Sequence, residues 1–354
     1  MGLRVVQTAP KSQLDSGMAQ AVAPDAARKP GIERLRRLVA DDMAATNQEI
    51  LRRMDSEVRL IPELASHLIA AGGKRIRPML TLGCARLCGY QGDSAVLLAA
   101  CVEFIHTATL LHDDVVDESD RRRGNPTANV LWGNQASVLV GDFLFTRSFQ
   151  LMVQTGSLEV LSILCGAAAE IAEGEVLQLV IANNTESSEE DYLKVIKAKT
   201  AALFAAACRV SGVIAGRSEA ETQALDDYGH NLGIAFQLID DAMDYAADGA
   251  TIGKNTGDDF REGKVTLPVL LAIARGSEPE RLFWRRVIEN PDEQAEADWA
   301  QALRYIERHG TIAETMARAR AYGQKAKQAL TIFPAGAARD ALSEAVDFAI
   351  ERAL

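Results

Sequence analysis

Two groups of carboxylates have the type and spacing to do chemistry. His112-Asp113-Asp114-Val115-Val116-Asp117 closes a strongly apolar segment, and Phe236-Gln237-Leu238-Ile239-Asp240-Asp241-Ala242-Met243-Asp244 repeats the DDxxD spacing on a second one. On a helix, Asp113 and Asp117 stack on one face, roughly 6 Å apart along the axis, with Asp114 beside them. Carboxylates at a helix C-terminus repel each other and oppose the helix dipole, at about 0.3–1 kcal/mol each when exposed. A hard divalent cation offsets that cost, and Mg²⁺ shared between a few carboxylates and a phosphate is the usual arrangement. One cluster alone reads equally well as a solvated helix end. Its recurrence on a second buried helix suggests two walls of one cavity, where six carboxylates need cations between them to stay ionised.

Basic residues alternate with these acids. Gly72-Gly73-Lys74-Arg75-Ile76-Arg77-Pro78 places three cations just before a helix N-terminus, where free N–H groups with Lys74 and Arg77 suit a diphosphate. Arg121-Arg122-Arg123-Gly124 follows the first acidic group and offers bidentate guanidinium contacts beside it. Lys199-Thr200 lies in an apolar stretch, where a lysine needs a partner or a route to water. Lys254 and Lys264 flank a loop after the second acidic group. His106 precedes Asp113 by two helical turns, which aligns it with the acidic stripe; a lone histidine there is otherwise a satisfied core residue. Neither a GxxxxGK[ST] loop nor a strand–GxGxxG–helix unit is present, so a magnesium-bridged diphosphate site fits better than a P-loop or a dinucleotide fold.

The elements that must carry these groups read as helices throughout. From Ile32 onward apolar residues recur at three and four spacing, and period-two alternation is missing. The pattern predicts helices over 31–58, after Pro62, from Pro78 to near Gly89 and over 94–116. Further ones are predicted from Asn134 and near 158–181, 189–217, 219–246, 266–274, 279–289, 293–309, 311–331 and 335–353. Residues 1–30 lack periodicity and read as a mobile leader rather than a transit peptide, leaving residues 31–354 as a single all-α domain. The apolar run from Val96 to His112 contains Glu103 and His106, so a buried core helix is preferred over a membrane span.

Composition narrows the partners. The 354 residues carry 38 basic against 49 acidic side chains, 38 − 49 = −11, which disfavours non-specific nucleic-acid binding. Five cysteines, odd in number and set in apolar stretches, read as reduced thiols of a cytoplasmic protein.

With both DDxxD groups, GGKRIRP, the His-x₆-Asp spacing and RRG in this order, the chain closely resembles the trans-polyprenyl diphosphate synthases from about residue 32 onward. The resemblance implies an isoprenoid-synthase helical bundle around a deep cavity, usually a homodimer, with two or three Mg²⁺ per active site. It implies that Lys74, Arg77, His106 and Arg123 hold isopentenyl diphosphate. Asp113, Asp114, Asp117, Asp240, Asp241 and Asp244 would hold Mg²⁺ on the allylic diphosphate, which Arg122, Lys199, Thr200, Gln237, Lys254 and Lys264 contact directly. Asp113, Asp114, Asp117, Asp240 and Asp241, with Lys199 and Lys254, would be the catalytic set, the loop around Gly253 to Gly263 a lid, and the oily product a reason for peripheral membrane contact.

Chain length follows from how soon the growing tail meets a bulky side chain. The family positions four and five before the first Asp are Thr109 and Ala108, both small where short-chain members carry an aromatic. Only Val115 and Val116 separate the acids. Both features resemble octaprenyl to decaprenyl synthases that serve quinone side chains. The alternatives are a short-chain farnesyl or geranylgeranyl synthase and a non-catalytic subunit of a heteromeric synthase. A terpene cyclase is disfavoured because it needs no second DDxxD and no isopentenyl cradle.

Overall fold

Apolar periodicity of three and four residues becomes a helical bundle in the computed structural model, which describes residues 31–70, 73–122, 124–246 and 256–351. The expected leader, together with Gly72, Arg123 and Lys254, lies outside the described residues.

The predicted first helix is two, α1 (Gly31–Leu38) and α2 (Ala40–Met54), and it stops four residues short of Val58. Next come α3 (Leu60–Ala70), α4 (Ile76–Leu87) and the central α5 (Ser94–Val116). A two-residue-per-strand hairpin, β1 (Arg121–Arg122) with β2 (Asn125–Pro126), then turns the chain into α6 (Ala128–Trp132) and α7 (Asn134–Gln154). Neither the hairpin nor α6 has enough residues to leave a periodic signal.

Beyond α8 (Leu158–Ile181) the predicted helix over 189–217 is interrupted. It runs as α9 (Glu189–Ile196), a π-helical turn (Lys197–Ala201) in which Ala202 N–H bonds Lys197 O, and α10 (Ala202–Ile214). The long α11 (Glu219–Asp244) follows, opened by a capping box in which Ser218 and Glu221 satisfy each other's backbone N–H. A short α12 (Asp258–Arg261) precedes α13 (Leu267–Arg275), α14 (Glu278–Glu289), α15 (Glu296–Arg308), α16 (Thr311–Ala329) and α17 (Ala337–Glu351).

One apolar core joins α1, α4, α10, α11, α16 and α17, and a second joins α5, α7, α8 and α10. Each large side chain buried in them contributes about 1.5–3 kcal/mol. A third, smaller core gathers around Trp284 between α13, α14 and α15. Helix α10 belongs to both large cores, and glycines let its neighbours approach the π-turn closely. A Cβ on Gly174 of α8 would lie 2.7 Å from Ala198 Cβ, and one on Gly233 of α11 would lie 2.6 Å from Ala201 Cα. The π-turn is thus clamped from two sides.

Helices α5 and α7 are long and apolar enough to cross a membrane by length alone, but α5 is mostly buried in the bundle and α7 buries one face against it. Cys84, Cys88, Cys101 and Cys208 are buried free thiols and Cys165 is half-buried.

Candidate active site

The first acidic group ends α5. Asp114 points inward, 2% exposed, and its Oδ1 accepts from Arg122 Nη2 at 2.7 Å and Nε at 2.9 Å. Asp113 and Asp117 are each met by a lysine. Lys199 Nζ lies 3.7 Å from Asp113 Oδ2, and Lys264 Nζ lies 3.3 Å from Asp117 Oδ2. Burial pushes the Asp113 carboxyl up, against the attraction of Lys199. Burial also opposes the charge on Lys264, but Asp117, Glu262 and Asp259 outweigh it and hold the ammonium above its usual range.

The second acidic group ends α11. Asp241 is 3% exposed, and both its oxygens accept from protein donors: Oδ2 from Tyr192 Oη and Oδ1 from Gln237 Nε2 at 2.7 Å. Gln237 accepts in turn from Thr200 Oγ1 at 2.9 Å. Burial pushes Asp241 up to about 7 despite these hydrogen bonds. Asp244 caps α12, accepting from Asp258 N at 3.3 Å and Asp259 N at 3.1 Å. Burial pushes its carboxyl up to about 6, against those two backbone donors. Of the expected lid, residues 253–255 lie outside the described residues, whereas 258 and 259 are anchored by Asp244.

The π-turn serves both acidic groups. Lys199 turns toward Asp113 and donates to Glu175 Oε2 at 2.7 Å, while its neighbour Thr200 turns toward Gln237 and so toward Asp241. Widening a helix by one residue in a turn re-aims the side chains within it, and such turns recur at functional sites.

The basic cradle begins α4. Arg75 adopts the left-handed conformation, φ 49° and ψ 36°, and its guanidinium pairs with Glu103 of α5. Arg77 lies 4.5 Å over the Phe204 ring with its Nε buried and without a hydrogen-bond partner. Burial lowers Arg77 to about 10, opposed by Glu103 and Asp240. Lys74 Nζ stands 5.5 Å from the Phe348 ring of α17. His106 lines a cavity with Arg75, Glu103, Asp114 and Arg122, floored by Phe104 and Leu144. At the chain-length positions, Ala108 is fully buried among Ile105, Leu111 and Leu144, and Thr109 Oγ1 donates to His106 O at 2.9 Å.

The described residues contain no ready-made cage of three or more metal-ligating side chains. The donor set nevertheless suits Mg²⁺, which takes one or two carboxylates and completes its shell with water and phosphate oxygens. Asp113 and Asp244 are carboxyls that burial holds above their ordinary range, the condition a hard cation relieves. Burial raises Asp241 likewise, though it also accepts from Tyr192 and Gln237, and Asp114 is paired with Arg122.

Sequence reasoning missed Tyr192, Glu175, Glu103 and Asp259. Glu103 carried a signal, a lone acid inside an apolar run that needs a cation, whereas Glu175 sits among Glu170 and Glu173 and does not stand out. Tyr192 carried none, because its partner is 49 positions away.

The family model described as Polyprenyl synthetase matches residues 58–306. The octaprenyl diphosphate synthase of Escherichia coli (strain K12) is 48% identical over 321 residues, covering 91% of this chain and 99% of that protein. A decaprenyl diphosphate synthase structure from Rhodobacter capsulatus superposes with TM-score 0.87 at 55% identity, over 91% of this chain and 99% of that one. A polyprenyl synthase from Caulobacter crescentus CB15, complexed with calcium and isoprenyl diphosphate, gives TM-score 0.87 at 55% identity, over 92% and 99%.

Proposed function

The chain belongs to the polyprenyl synthetase family and is a prenyltransferase, and from that premise we propose that it adds successive isopentenyl diphosphates in trans to an allylic diphosphate such as farnesyl diphosphate. The product is a long-chain polyprenyl diphosphate, octaprenyl to decaprenyl, of the kind used for quinone side chains. The observation that carries this reading is that consecutive residues, Lys199 and Thr200, serve the two acidic groups from one turn. A single diphosphate bridged to both groups would meet them there.

Asp113, Asp114, Asp117, Asp240, Asp241 and Asp244 would hold two or three Mg²⁺ in this reading. Bound Mg²⁺ supplies positive charge to the departing diphosphate. Arg122, Lys199, Thr200, Gln237, Lys254 and Lys264 orient and neutralise the same group. The C–O bond of the allylic substrate breaks, leaving an allylic cation. Lys74, Arg77, His106 and Arg123 hold isopentenyl diphosphate so that its double bond meets that cation, which supplies the orientation term. A carbon–carbon bond forms and the released diphosphate takes up the proton lost from the isopentenyl unit, regenerating an allylic chain five carbons longer. Apolar walls keep water from the cation.

A homodimer is supported by large apolar side chains left exposed along α7 (Val138, Leu139 and Val153) and α8 (Leu158 and Val176), with Leu139 67% and Leu158 83% exposed. We read residues 31–354 as one catalytic domain, since α1 and α17, near its two ends, pack together. The buried free thiols support a cytoplasmic location, with peripheral membrane contact when the oily product leaves.

The test is incubation of the purified chain with Mg²⁺, farnesyl diphosphate and labelled isopentenyl diphosphate, followed by sizing of the dephosphorylated products. Polyprenols of eight to ten units that vanish with EDTA are expected. Arrest after one or two additions overturns the long-chain assignment, and no product from folded protein favours a partner subunit.

A further inference from the structure

We propose that the Glu103–Arg75 ion pair is a positioning device for the isopentenyl diphosphate cradle, an inference that rests on the functional reading above. Arg75 is one of three non-glycine residues with positive φ among the described residues. An arginine has no short side chain to support that backbone locally, and no side-chain hydrogen bond caps α4 here. Its support comes from another helix. The Arg75 guanidinium pairs with Glu103 of α5, which is 7% exposed between Val102 and Phe104, themselves 0% and 2% exposed. A carboxylate in that setting requires a cation, and Arg75 supplies it.

The geometry gives the pair a role beyond stability. Arg75 lies between Lys74 and Arg77, and its left-handed turn sets the direction in which the chain delivers those two cations. Glu103 also attracts the buried Arg77 guanidinium, as Asp240 does, while the Phe204 ring lies beneath it. Helix α5 carries Glu103 one turn before His106, and both line the same cavity. One carboxylate therefore fixes the cradle's backbone, one of its charges and its distance from the histidine.

The test is steady-state kinetics of Glu103→Gln, Arg75→Met, the double variant, Arg75→Lys and Arg75→Gly, with each substrate varied in turn. We expect the KM for isopentenyl diphosphate to rise about tenfold or more in Glu103→Gln and Arg75→Met, with the KM for the allylic diphosphate within about twofold. The double variant is no worse than either single one, and Arg75→Lys recovers most of the loss. Arg75→Gly, which relieves the backbone without restoring the ion pair, is no better than Arg75→Met. Equal rises in both KM values, multiplicative losses in the double variant, or full function in Arg75→Gly overturn the proposal. A wild-type chain that turns over neither substrate overturns the functional reading itself.

Discussion

Lys264 and Asp117 are 147 positions apart in the chain and 3.3 Å apart in space. The contact joins the segment after the second acidic group to the end of the first. Replacing Lys264 with alanine removes the cation without opening a core, since the lysine is partly exposed. We expect kcat/KM to fall about a hundredfold, in the range for loss of one preorganised charge partner. The melting temperature should stay within a few degrees, and a loss confined to stability would contradict the assignment.

Tyr192→Phe removes one of two donors to buried Asp241 while keeping the ring. The loss costs about 1–2 kcal/mol of stability. The hydroxyl also favours the ionised carboxyl, so without it Asp241 protonates more readily. The concentration of Mg²⁺ giving half-maximal rate should therefore rise severalfold, which a metal titration at fixed substrate measures.

Asp241 and Asp244 are held near 7 and 6, above the value of about 3.9 for an unfolded aspartate. Folded carboxyls that bind protons more tightly contribute stability in full below about pH 4 and lose it as pH rises through about 6 and 7. The metal-free protein should accordingly melt lower at pH 8 than at pH 5.5, as far as these two groups govern it. Mg²⁺ must displace protons to bind, so its stabilising effect grows across the same interval and EDTA abolishes it. Thermal shifts at several pH values check this, and a constant Mg²⁺ effect would falsify it.

Ala108→Phe fills a fully buried position five residues before Asp113. Crowding there costs about 1–3 kcal/mol, and the growing tail meets an aromatic wall early. Product sizing should show a shift to shorter polyprenols, with initial addition rates retained. An unchanged distribution would place the tail along another face of α5.

Gly233→Ala should damage both stability and rate. The added methyl would sit 2.6 Å from Ala201 Cα, which is backbone and cannot swing aside. Overpacking of this kind costs about 1–3 kcal/mol. The movement also displaces Lys199 and Thr200, so kcat should fall more than at an equally destabilising site far from the π-turn, such as Trp284→Phe.

Much of this arrangement was legible beforehand because its signals are local. The i, i+4 carboxylates and the 94–116 helix follow from one periodicity read over a short window. What escaped depends on contacts between distant segments. No local pattern distinguishes the π-turn from the α-helix expected over 189–217, because tight packing against Gly174 and Gly233 holds it. For the same reason spacing alone treats Asp113 and Asp114 alike, although one faces Lys199 and the other Arg122. Their difference is one of tertiary burial.

The π-turn has a consequence for heredity. A turn of this kind holds one residue more than the α-helical turn it replaces, so it is equivalent to a single-codon insertion into an otherwise regular helix. Deleting one residue between Lys197 and Ala201 would let the backbone relax into ordinary helix with its two flanks still in phase, but it would re-aim the side chains within the turn. Lys199 and Thr200 could then no longer serve opposite acidic groups. In this stretch the length of the gene is under tighter constraint than most of its letters.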